Sequence, residues 1–375
     1  MKQILLNPGP ANTSDTVKSS LVVDDICPRE KEFGLVLDYI CDNITDILLP
    51  KSYNHKDLYS TVLFGSSGTG AIESTITSVC SDEKDEILII SNGEYGKRAA
   101  EIADRYKIKN HILDFYDNQK YILNYDIIEK TIKDKKPSHV YVVHCETTTG
   151  VLNNIHDIGE MCKKYNSTFI VDAMSTFCCY NIDMLENNID FLISSSNKNL
   201  QGMAGLSFVT CNLNKLKELK FKTSKSYYFD LFAQYNNLKN KNQTRFTPPV
   251  QIAYATIKAI EELIDEGLEK RYKRIEENYK ILNNELKKLG LKTLIPDEYN
   301  SIIIRSYYDL NNKEHSFEKM HEYFKQKGYT IYPGKVANIN TFRLSNIGIL
   351  TKENIKDFLI EFKNYLKLIK WEEHN

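Results

Sequence analysis

The sequence predicts an α/β fold, in which a large domain is built on a mainly parallel sheet between helices and a small α+β domain follows at the C-terminal end. Between residues 61 and 209, short apolar runs alternate with helical patterns, which is the order typical of parallel sheets. The apolar runs are nearly continuous, and this favours strands that are buried on both faces. From about Pro248 the pattern changes to long helices with a few short strands, which indicates a second, smaller unit.

The strands of the large domain are predicted where the apolar runs lie, at residues 61–64, 86–90, 140–144, 168–171, 191–194 and 206–209. Helical patterns occupy 70–80, 93–106, 125–133 and 155–165. In the C-terminal part a helical pattern spans 250–289, with a break at Gly267 because glycine disfavours helix interiors. Strands are then predicted at 301–305, 329–332 and 341–344, and helices at 317–327 and 351–368.

The composition is that of an ordinary globular protein, with 42% hydrophobic and 26% charged residues. The 49 Lys and Arg nearly balance the 50 Asp and Glu, so no basic field is present to attract nucleic acid or an anionic membrane. No apolar run has the length of a membrane span, and residues 1–8 lack the apolar core of a signal peptide. We therefore expect small-molecule partners, with neither nucleic acid nor a membrane.

The eight cysteines all precede residue 212 and show neither a CxxC pair nor the spacing of metal ligands. Several lie in apolar runs, as Cys178 and Cys179 do. Reduced, partly buried thiols in a cytoplasmic protein are the favoured interpretation, ahead of disulfides or a metal site.

A turn rich in Gly, Ser and Thr follows the first predicted strand and contains Ser67, Gly68 and Thr69. A helix begins there, so backbone N–H groups and the positive end of the helix dipole point at one place, which suits a phosphate group. The alternative is an ordinary capped turn between a strand and a helix. The turn matches neither GxxxxGK[ST] nor GxGxxG, which argues against a nucleoside triphosphate or a dinucleotide.

Two further residues stand at predicted strand ends, Asp172 and, 26 positions later, Lys198. A carboxylate can hold the ring nitrogen of a pyridine cofactor protonated, and a partly desolvated lysine can attack a carbonyl to form a Schiff base. Taken alone, Asp172 could cap a helix and Lys198 could be one more surface lysine. Because the phosphate turn, the acid and the lysine follow in that order at the ends of one predicted sheet, they predict a pyridoxal 5'-phosphate site with Lys198 as the Schiff-base residue.

Three less specific features accompany this set. Tyr95 follows a buried strand and could stack on a flat ring, or pack in the core. Thr147 lies in a polar cluster at another strand end, which could donate hydrogen bonds to a ring or form a simple turn. Arg343 could bind a planar carboxylate or a phosphonate through two N–H donors, or form a structural ion pair.

Together these residues resemble the class V, fold-type I aminotransferases over nearly the whole chain. Within that class, the resemblance points to the 2-aminoethylphosphonate:pyruvate subfamily. It is carried by segments 5–10, 67–69, 92–96, 146–150, 171–175, 196–198, 245–249, 331–335 and 342–348. The resemblance implies a large domain at 21–250, a linking helix and small domain at 251–375, and an N-terminal segment 1–20 that joins the active site and small domain.

The resemblance also implies roles for the matching positions. Lys198 is the catalytic residue, and shared active sites in a homodimer are expected. The cofactor-binding residues are Ser67, Gly68 and Thr69 at the phosphate, Thr147 at the ring oxygen, Tyr95 on the ring face, Asp172 at the ring nitrogen, Ser196, Lys198, and Thr247 reaching the partner subunit's cofactor. The substrate-binding residues are Arg343, Arg29 and Gly9.

The implied activity is transamination between 2-aminoethylphosphonate and pyruvate, in either direction. The segment 24–33 departs from the Trp- and Asp-rich stretch of the catabolic members, and its Arg29 could add a second cation near the acid end of the substrate. This leaves open a related phosphonate substrate, or the alanine/serine–glyoxylate type of class V aminotransferase. A desulfurase is disfavoured because no cysteine follows Cys211, and a non-catalytic relative because Lys198 and Asp172 are both present.

Overall fold

The strands of the protein fall into one large sheet and several small ones in the computed structural model, which describes residues 3–49, 57–116, 121–336 and 339–371. In chain order the strands are β1 (Ile4–Leu5), β2 (Tyr59–Phe64), β3 (Ile87–Ser91), β4 (Asn110–Asp114), β5 (His139–Val143), β6 (Cys145–Glu146), β7 (Val151–Leu152), β8 (Thr168–Asp172), β9 (Phe191–Ser195), β10 (Ser207–Asn212), β11 (Ile304–Tyr308), β12 (Tyr329–Thr330), β13 (Tyr332–Val336) and β14 (Ile339–Ser345).

The helices cover the sheets and link them. In chain order they are α1 (Asp15–Ser19), α2 (Lys31–Ile47), α3 (Gly68–Val79), α4 (Glu94–Arg105), α5 (Tyr125–Lys135), α6 (Ile155–Tyr165), α7 (Leu213–Glu218), α8 (Leu231–Lys241), α9 (Val250–Glu266), α10 (Leu268–Lys288), α11 (Phe317–Gln326) and α12 (Lys352–Leu368).

The large sheet has the order β2-β10-β9-β8-β5-β3-β4. Strand β10 alone runs in the direction opposite to the other six strands. The predicted α/β class with a mainly parallel sheet is confirmed. The register places Val143 of β5 opposite Asp172 of β8, and Asp172 opposite Ile193 of β9. The carboxyl ends of these three parallel strands therefore lie side by side at one end of the sheet, where α/β folds bind their ligands.

The C-terminal part is built on the antiparallel sheet β11-β14-β13, with α11 and α12 against it. The N-terminal strand β1 pairs in parallel with β12, so that Ile4 lies opposite Tyr329. Leu6 is buried in the same apolar cluster as Phe324, Phe358 and Phe362. The first residues of the chain therefore pack with its last third, and the segment that follows β1 passes the end of the large sheet.

Local sequence signals account for several helix ends. The Asn154 side chain accepts hydrogen bonds from two backbone N–H groups at the start of α6, and Thr351 and Asn354 form a capping box at the start of α12. Gly267 has a φ of +81°, a backbone conformation that favours glycine, and it separates α9 from α10. The predicted break at Gly267 is thus confirmed.

Several elements differ from the sequence prediction. The strand predicted at 301–305 is β11, Ile304–Tyr308, and the strand predicted at 329–332 is divided between β12 and β13. The strand β4 was not predicted, because it is a half-buried edge strand with only two apolar residues. The helix α2 was also missed, although buried residues at 33, 37, 40 and 44 have helical spacing that could have revealed it.

None of the helices in the described residues is long and apolar enough to cross a membrane. Within the same ranges, no group of three or more His, Cys, Asp or Glu side chains is arranged to hold a metal ion.

Candidate active site

A cavity of 430 Å³ opens at the carboxyl ends of β8 and β9 and brings together six of the twelve predicted site residues. It is lined by Ser67, Gly68, Thr69, Ile72, Tyr95, Arg98, Asp172, Met174, Ser195, Asn197, Lys198, Ala204 and Gly205. A larger groove of 730 Å³ runs along residues 113–115 and 122–127, but its described lining holds neither a lysine nor a glycine-rich turn. The smaller cavity is therefore the candidate active site.

The Lys198 side chain reaches into this cavity just after the end of β9. Its Nζ donates a 2.5 Å hydrogen bond to the carbonyl oxygen of Pro8 in the N-terminal segment. A Cβ atom at Gly9 would lie only 2.6 and 2.7 Å from the Cδ and Cε of Lys198, so a residue without a side chain is needed there. Burial lowers the pKa of the Lys198 amine to about 8, with Asp172 opposing the shift and Arg343 adding to it. An appreciable neutral fraction, as a nucleophile requires, is therefore present near neutral pH.

The Asp172 carboxylate ends β8 and is 2% exposed. Its Oδ2 accepts a 3.0 Å hydrogen bond from the Tyr141 hydroxyl, and its Oδ1 accepts one of 2.9 Å from the backbone N–H of Met174. Burial raises the pKa of Asp172, while these two donors and the charge of Lys198 act to lower it. A turn rather than a helix follows, so the alternative role as a helix cap does not apply.

The turn between β2 and α3 places Ser67 at the N-cap and Gly68 at the first position of the helix. The Ser67 hydroxyl makes no capping hydrogen bond and is exposed toward the cavity. A Cβ at Gly68 would overlap the thioether of Met174, so the backbone approaches this side of the cavity closely. Together with Thr69, the free N–H groups and hydroxyls of the first helical turn form the anion-binding geometry that the sequence predicted.

The Tyr95 ring lies at the start of α4, and a buried carboxylate fixes that turn. Glu146, 0% exposed, accepts hydrogen bonds from the backbone N–H of Tyr95 at 3.1 Å and from the Thr148 hydroxyl at 2.6 Å. Burial raises the pKa of Glu146, and the donors from Thr148, Tyr95 and Gly96 counteract the shift. The guanidinium of Arg98 packs 4.8 Å from the centre of the Tyr95 ring.

Arg343 lies on β14, outside the cavity lining, and its positive charge adds to the lowering of the Lys198 pKa. Its guanidinium donates to the carbonyl oxygens of Pro333, at 2.9 and 3.2 Å, and of Thr147, at 3.2 Å. It also lies 5.2 Å from the centre of the Tyr332 ring. Within the described residues it forms no ion pair, so the predicted alternative of a structural salt bridge finds no partner there.

Other predicted residues lie outside the cavity lining. The Ser196 hydroxyl donates to the carbonyl oxygens of Met203 and Leu206, and the neighbouring Ser195 lines the cavity instead. Thr147 is buried beside the cavity, where its carbonyl oxygen accepts a hydrogen bond from Arg343.

Thr247 and Arg29 belong to a different part of the surface. Thr247 lines a separate small recess with residues of the 64–65 and 244–248 segments. Arg29 donates to the carbonyl oxygens of Thr244, at 2.6 Å, and Arg245, at 3.3 Å. The two residues therefore share one loop region, and neither lines the cavity.

Sequence reasoning missed two neighbours of the site. Arg98 lies one helical turn after Tyr95, so the spacing i and i+3 on a predicted helix was the available signal. Tyr141 lies two residues before the end of its strand, and period-two alternation in β5 put it on one face with Val143, which stands opposite Asp172. The bond between Tyr141 and Asp172 depends on strand order, which the sequence did not give.

A family model of sequences, described as aminotransferase class-V, matches residues 54–338 of the chain. The chain belongs to the class-V aminotransferase family. A protein of Lysinibacillus sphaericus named 2-aminoethylphosphonate--pyruvate transaminase is 37% identical over 368 residues, covering 96% of this chain and 97% of that protein. A bifunctional phosphonoacetaldehyde hydrolase/aminoethylphosphonate transaminase of Clostridioides difficile is also 37% identical, and this chain spans 56% of its length.

The fold of this class-V aminotransferase agrees with the crystal structure of a ureidoglycine-glyoxylate aminotransferase from Bacillus subtilis. The TM-score is 0.88, and the match covers 99% of this chain and 94% of that one, at 21% sequence identity. At this identity the similarity supports the fold alone, and it confirms the predicted fold-type I architecture.

Class-V aminotransferases are pyridoxal-phosphate enzymes, and the cavity of this one fits that cofactor. The cofactor has an aldehyde, a basic ring nitrogen, a flat ring and a phosphate group. The cavity presents an amine at Lys198, a carboxylate at Asp172, an aromatic ring at Tyr95 and a helix N-terminus at Gly68. Because Gly9 and Gly68 have no Cβ, the backbone lies close to the Lys198 amine and to the helix N-terminus, and this leaves room for the cofactor.

Proposed function

We propose that this class-V aminotransferase exchanges an amino group between 2-aminoethylphosphonate and pyruvate, giving phosphonoacetaldehyde and L-alanine, or runs the same exchange in reverse in phosphonate biosynthesis. The observation that carries the proposal is the Arg343 guanidinium, which donates to the carbonyl oxygen of Thr147, next to the Glu146 that holds the Tyr95 turn, and has no acidic partner among the described residues. Such a group binds a carboxylate or a phosphonate through two parallel hydrogen bonds. The names of the near-full-length relatives favour the phosphonate.

Lys198 would hold the cofactor covalently and then act as the base. Its amine, with a pKa of about 8, can take a proton from the carbon that bears the substrate nitrogen and return it on the cofactor side. Pyridoxal phosphate, when bound, supplies the electron sink that makes this proton removable. The carbonyl oxygen of Pro8, 2.5 Å from Nζ, gives the amine a fixed resting position.

The remaining residues would hold the cofactor in place. Asp172 would pair with the ring nitrogen, because its carboxylate faces the cavity while Tyr141 and Met174 fix its orientation. Ser67, Gly68 and Thr69 would bind the phosphate, and Tyr95 would cover one ring face. Thr147 would lie at the ring oxygen, and Ser196 would act by holding the loop that carries Lys198.

The activity is tested by mixing purified enzyme with 2-aminoethylphosphonate and pyruvate and measuring L-alanine. β-Alanine, which carries a carboxylate in place of the phosphonate, and L-serine are compared as amino donors, and glyoxylate as acceptor. Alanine formed preferentially from the phosphonate supports the proposal. Turnover only with serine or glyoxylate would assign the enzyme to another class V activity.

The role of Arg343 is tested by Arg343→Gln. The KM for both acidic substrates should rise by about tenfold or more, because a charge-assisted pair is lost. The visible absorption of the bound cofactor should stay, since Arg343 is not among the residues proposed to hold the cofactor. Arg105→Gln, at the exposed end of α4, is the matched control. Unchanged KM values in Arg343→Gln would remove this residue from the substrate site.

The enzyme is further proposed to be a homodimer in which Thr247 and Arg29 complete the partner subunit's site. In support, both residues lie away from their own cavity, and exposed aromatic side chains surround them: Tyr227 is 80% and Tyr228 42% exposed. Tyr228 stacks on Phe246, next to Thr247. Exposed aromatic clusters of this kind are typical of interfaces.

Shared sites are tested by mixing two inactive variants, Lys198→Ala and Thr247→Glu. In a mixed dimer, one site would contain both substitutions and the other neither, so part of the activity should return after subunit exchange. A mixture that stays inactive although mixed dimers form would contradict shared sites, and a monomer in light scattering would contradict the dimer.

A cytoplasmic location is proposed because all eight cysteines are free thiols, seven of them at least half-buried. Such thiols persist in a reducing compartment. Cell fractionation with an antibody against the protein is the direct test.

A further inference from the structure

The junction of α9 and α10 holds a group of three charged side chains, Glu266, Arg271 and Arg274, which we call the Glu266 fork. Oε2 of Glu266 accepts a 2.7 Å hydrogen bond from Nε of Arg271, and Oε1 accepts one of 2.7 Å from Nε of Arg274. The Arg271 side chain is 1% exposed, so its charge is compensated within the protein. The fork lies outside the cavity lining and was not predicted from the sequence.

The first arm of the fork, Arg271, fastens the loop that carries the active-site lysine. Its Nη1 donates to the carbonyl oxygens of Asn199, at 2.9 Å, and Leu200, at 3.4 Å, the two residues that follow Lys198. The Asn199 side chain in turn donates a 2.7 Å hydrogen bond to the carbonyl oxygen of Ser175, three residues beyond Asp172. Arg271 therefore holds the backbone next to the lysine and, through Asn199, the loop that follows the acid.

The second arm, Arg274, reaches a C-terminal segment that contacts the N-terminal residues of the chain. Its Nη1 donates a 2.9 Å hydrogen bond to the carbonyl oxygen of Gly348. The chain at Gly348 pairs with Asn12, and the backbone N–H of Ile349 donates to the Asn12 carbonyl oxygen at 3.0 Å. A Cβ at Gly348 would lie 2.6 Å from the Asn12 nitrogen, so the two segments are in direct contact.

Asn12 closes the N-terminal segment that faces the lysine. Its side chain accepts from the backbone N–H of Leu5 at 2.9 Å and donates to the Leu5 carbonyl oxygen at 2.7 Å. The loop closed in this way contains Pro8, whose carbonyl oxygen accepts the hydrogen bond of the Lys198 amine. A second link joins the N-terminal segment directly to the loop that carries Lys198. It is the hydrogen bond from the backbone N–H of Ala11 to the Asn197 carbonyl oxygen, at 2.9 Å.

We propose that Glu266 is a positioning residue for transamination: by holding Arg271 and Arg274 together, it sets the distance between the loop that carries Lys198 and the Pro8 carbonyl that orients its amine. The inference rests on the proposed role of Lys198 as the cofactor-bearing base. Small displacements of a catalytic group change rates strongly, whereas substrate affinity depends on Arg343, which the fork does not touch. A positioning role therefore predicts an effect on kcat without a matching effect on KM.

The principal test variant is Arg274→Gln. It removes the hydrogen bond to the Gly348 carbonyl oxygen but leaves the buried Arg271 paired with Glu266. Holoenzyme is titrated with pH in the absence of substrate while its visible absorption is recorded, and kcat, KM and the melting temperature are measured. The titration midpoint should move by about 0.5 pH unit or more, because the loop that carries Lys198 shifts relative to the charges of Asp172 and Arg343 that act on its nitrogen. The kcat should fall about tenfold while KM for the amino donor changes less than about twofold.

Three further variants distinguish a positioning role of the fork from a purely structural one. Arg274→Lys keeps the charge next to Glu266 but cannot reach both partners, so it should give an intermediate shift and rate. Glu266→Gln should reproduce the shift of Arg274→Gln if it folds. Lys273→Gln breaks the exposed Lys273–Glu269 ion pair on the same helix and should leave titration and rates unchanged.

The proposal is overturned if Arg274→Gln and every folded Glu266 variant lower only the melting temperature and keep the wild-type titration and kcat per active site. The fork would then only stabilise the fold. Wild-type protein that binds no cofactor, or forms no alanine, would overturn the proposed function instead. In that case the fork variants can still be compared by the rate at which an amine-directed reagent labels Lys198, measured by mass spectrometry. Equal labelling rates in all of them would overturn the proposal.

Discussion

The hydroxyl of Tyr141 donates a 3.0 Å hydrogen bond to Oδ2 of Asp172, and both side chains are buried beneath the cavity. This bond lowers the pKa of a carboxyl group that burial raises, and so favours the ionised form that a protonated ring nitrogen needs. Asp172, which would hold the cofactor ring, thus depends on Tyr141, a residue that does not itself line the cavity.

Tyr141→Phe should weaken retention of the cofactor without unfolding the protein. One hydrogen bond to a charged group is worth about 1.5–3 kcal/mol, so the dissociation constant of pyridoxal phosphate should rise about ten- to hundredfold. Fluorescence titration of the apo-enzyme measures this constant. Tyr307→Phe, whose hydroxyl is 3.5 Å from Asn283 in the C-terminal part, is the buried control. Equal affinity in Tyr141→Phe and wild type would show that the bond does not support the site.

Gly9→Ala should abolish most activity while the protein stays folded. The new methyl group would meet the flexible end of Lys198, which can move aside but then loses the Pro8 carbonyl. A φ of +138° adds backbone strain of about 1–3 kcal/mol. Gly290→Ala has comparable strain, with a φ of +78° far along the chain, and should lose stability without losing activity. Denaturant unfolding and alanine formation, measured on both variants, separate the two effects.

Glu146→Gln should destabilise the protein by about 1–3 kcal/mol, because an amide NH₂ must then face a group that is itself a donor. Oε2 accepts from the Tyr95 N–H, and Oε1 accepts from both the N–H and the hydroxyl of Thr148. Urea unfolding measures the loss. Glu101→Gln, on the exposed face of α4, should be neutral. A Glu146→Gln protein as stable as wild type would mean that the donors find other acceptors.

The contribution of two buried histidines to stability should fall as the pH is lowered from about 6.5 toward 4. Burial lowers the pKa of His139 to about 4 and that of His144 to about 3, so the unfolded chain takes up protons that the folded protein does not. Each histidine then contributes a loss of about 1.4 kcal/mol per pH unit below its usual pKa. Asp172 and Glu146, whose pKa values are raised, act in the opposite direction.

The contribution of one histidine is isolated by His139→Gln, because His139 lies at the start of β5, at the opposite end of the strand from the cavity. The difference in unfolding free energy between wild type and variant should decrease by about 1.4 kcal/mol for each pH unit between 6.5 and 5. A pH-independent difference for His139→Gln would contradict the assigned cause.

The sequence by itself determined the fold class, the order of the strands along the chain and the chemistry of the site. Buried parallel strands give continuous apolar runs, and a phosphate turn, an acid and a lysine at strand ends have few other uses in combination. Ser67, Gly68, Thr69, Tyr95, Asp172 and Lys198 were therefore found before any contact was known. The division into domains stays a prediction, and so do the roles of these six residues and of Gly9, Thr147, Ser196, Thr247, Arg29 and Arg343.

Only the tertiary structure decided which groups act on those residues. Strand order put Tyr141 beside Asp172, and the pairing of β1 with β12 brought Pro8 and Gly9 to Lys198 from 190 positions away. The Glu266 fork joins three parts of the chain that no periodicity connects. Periodicity reports which face of one element is buried, whereas contacts between distant segments depend on how the elements pack, and the pattern of a single sequence does not contain that information.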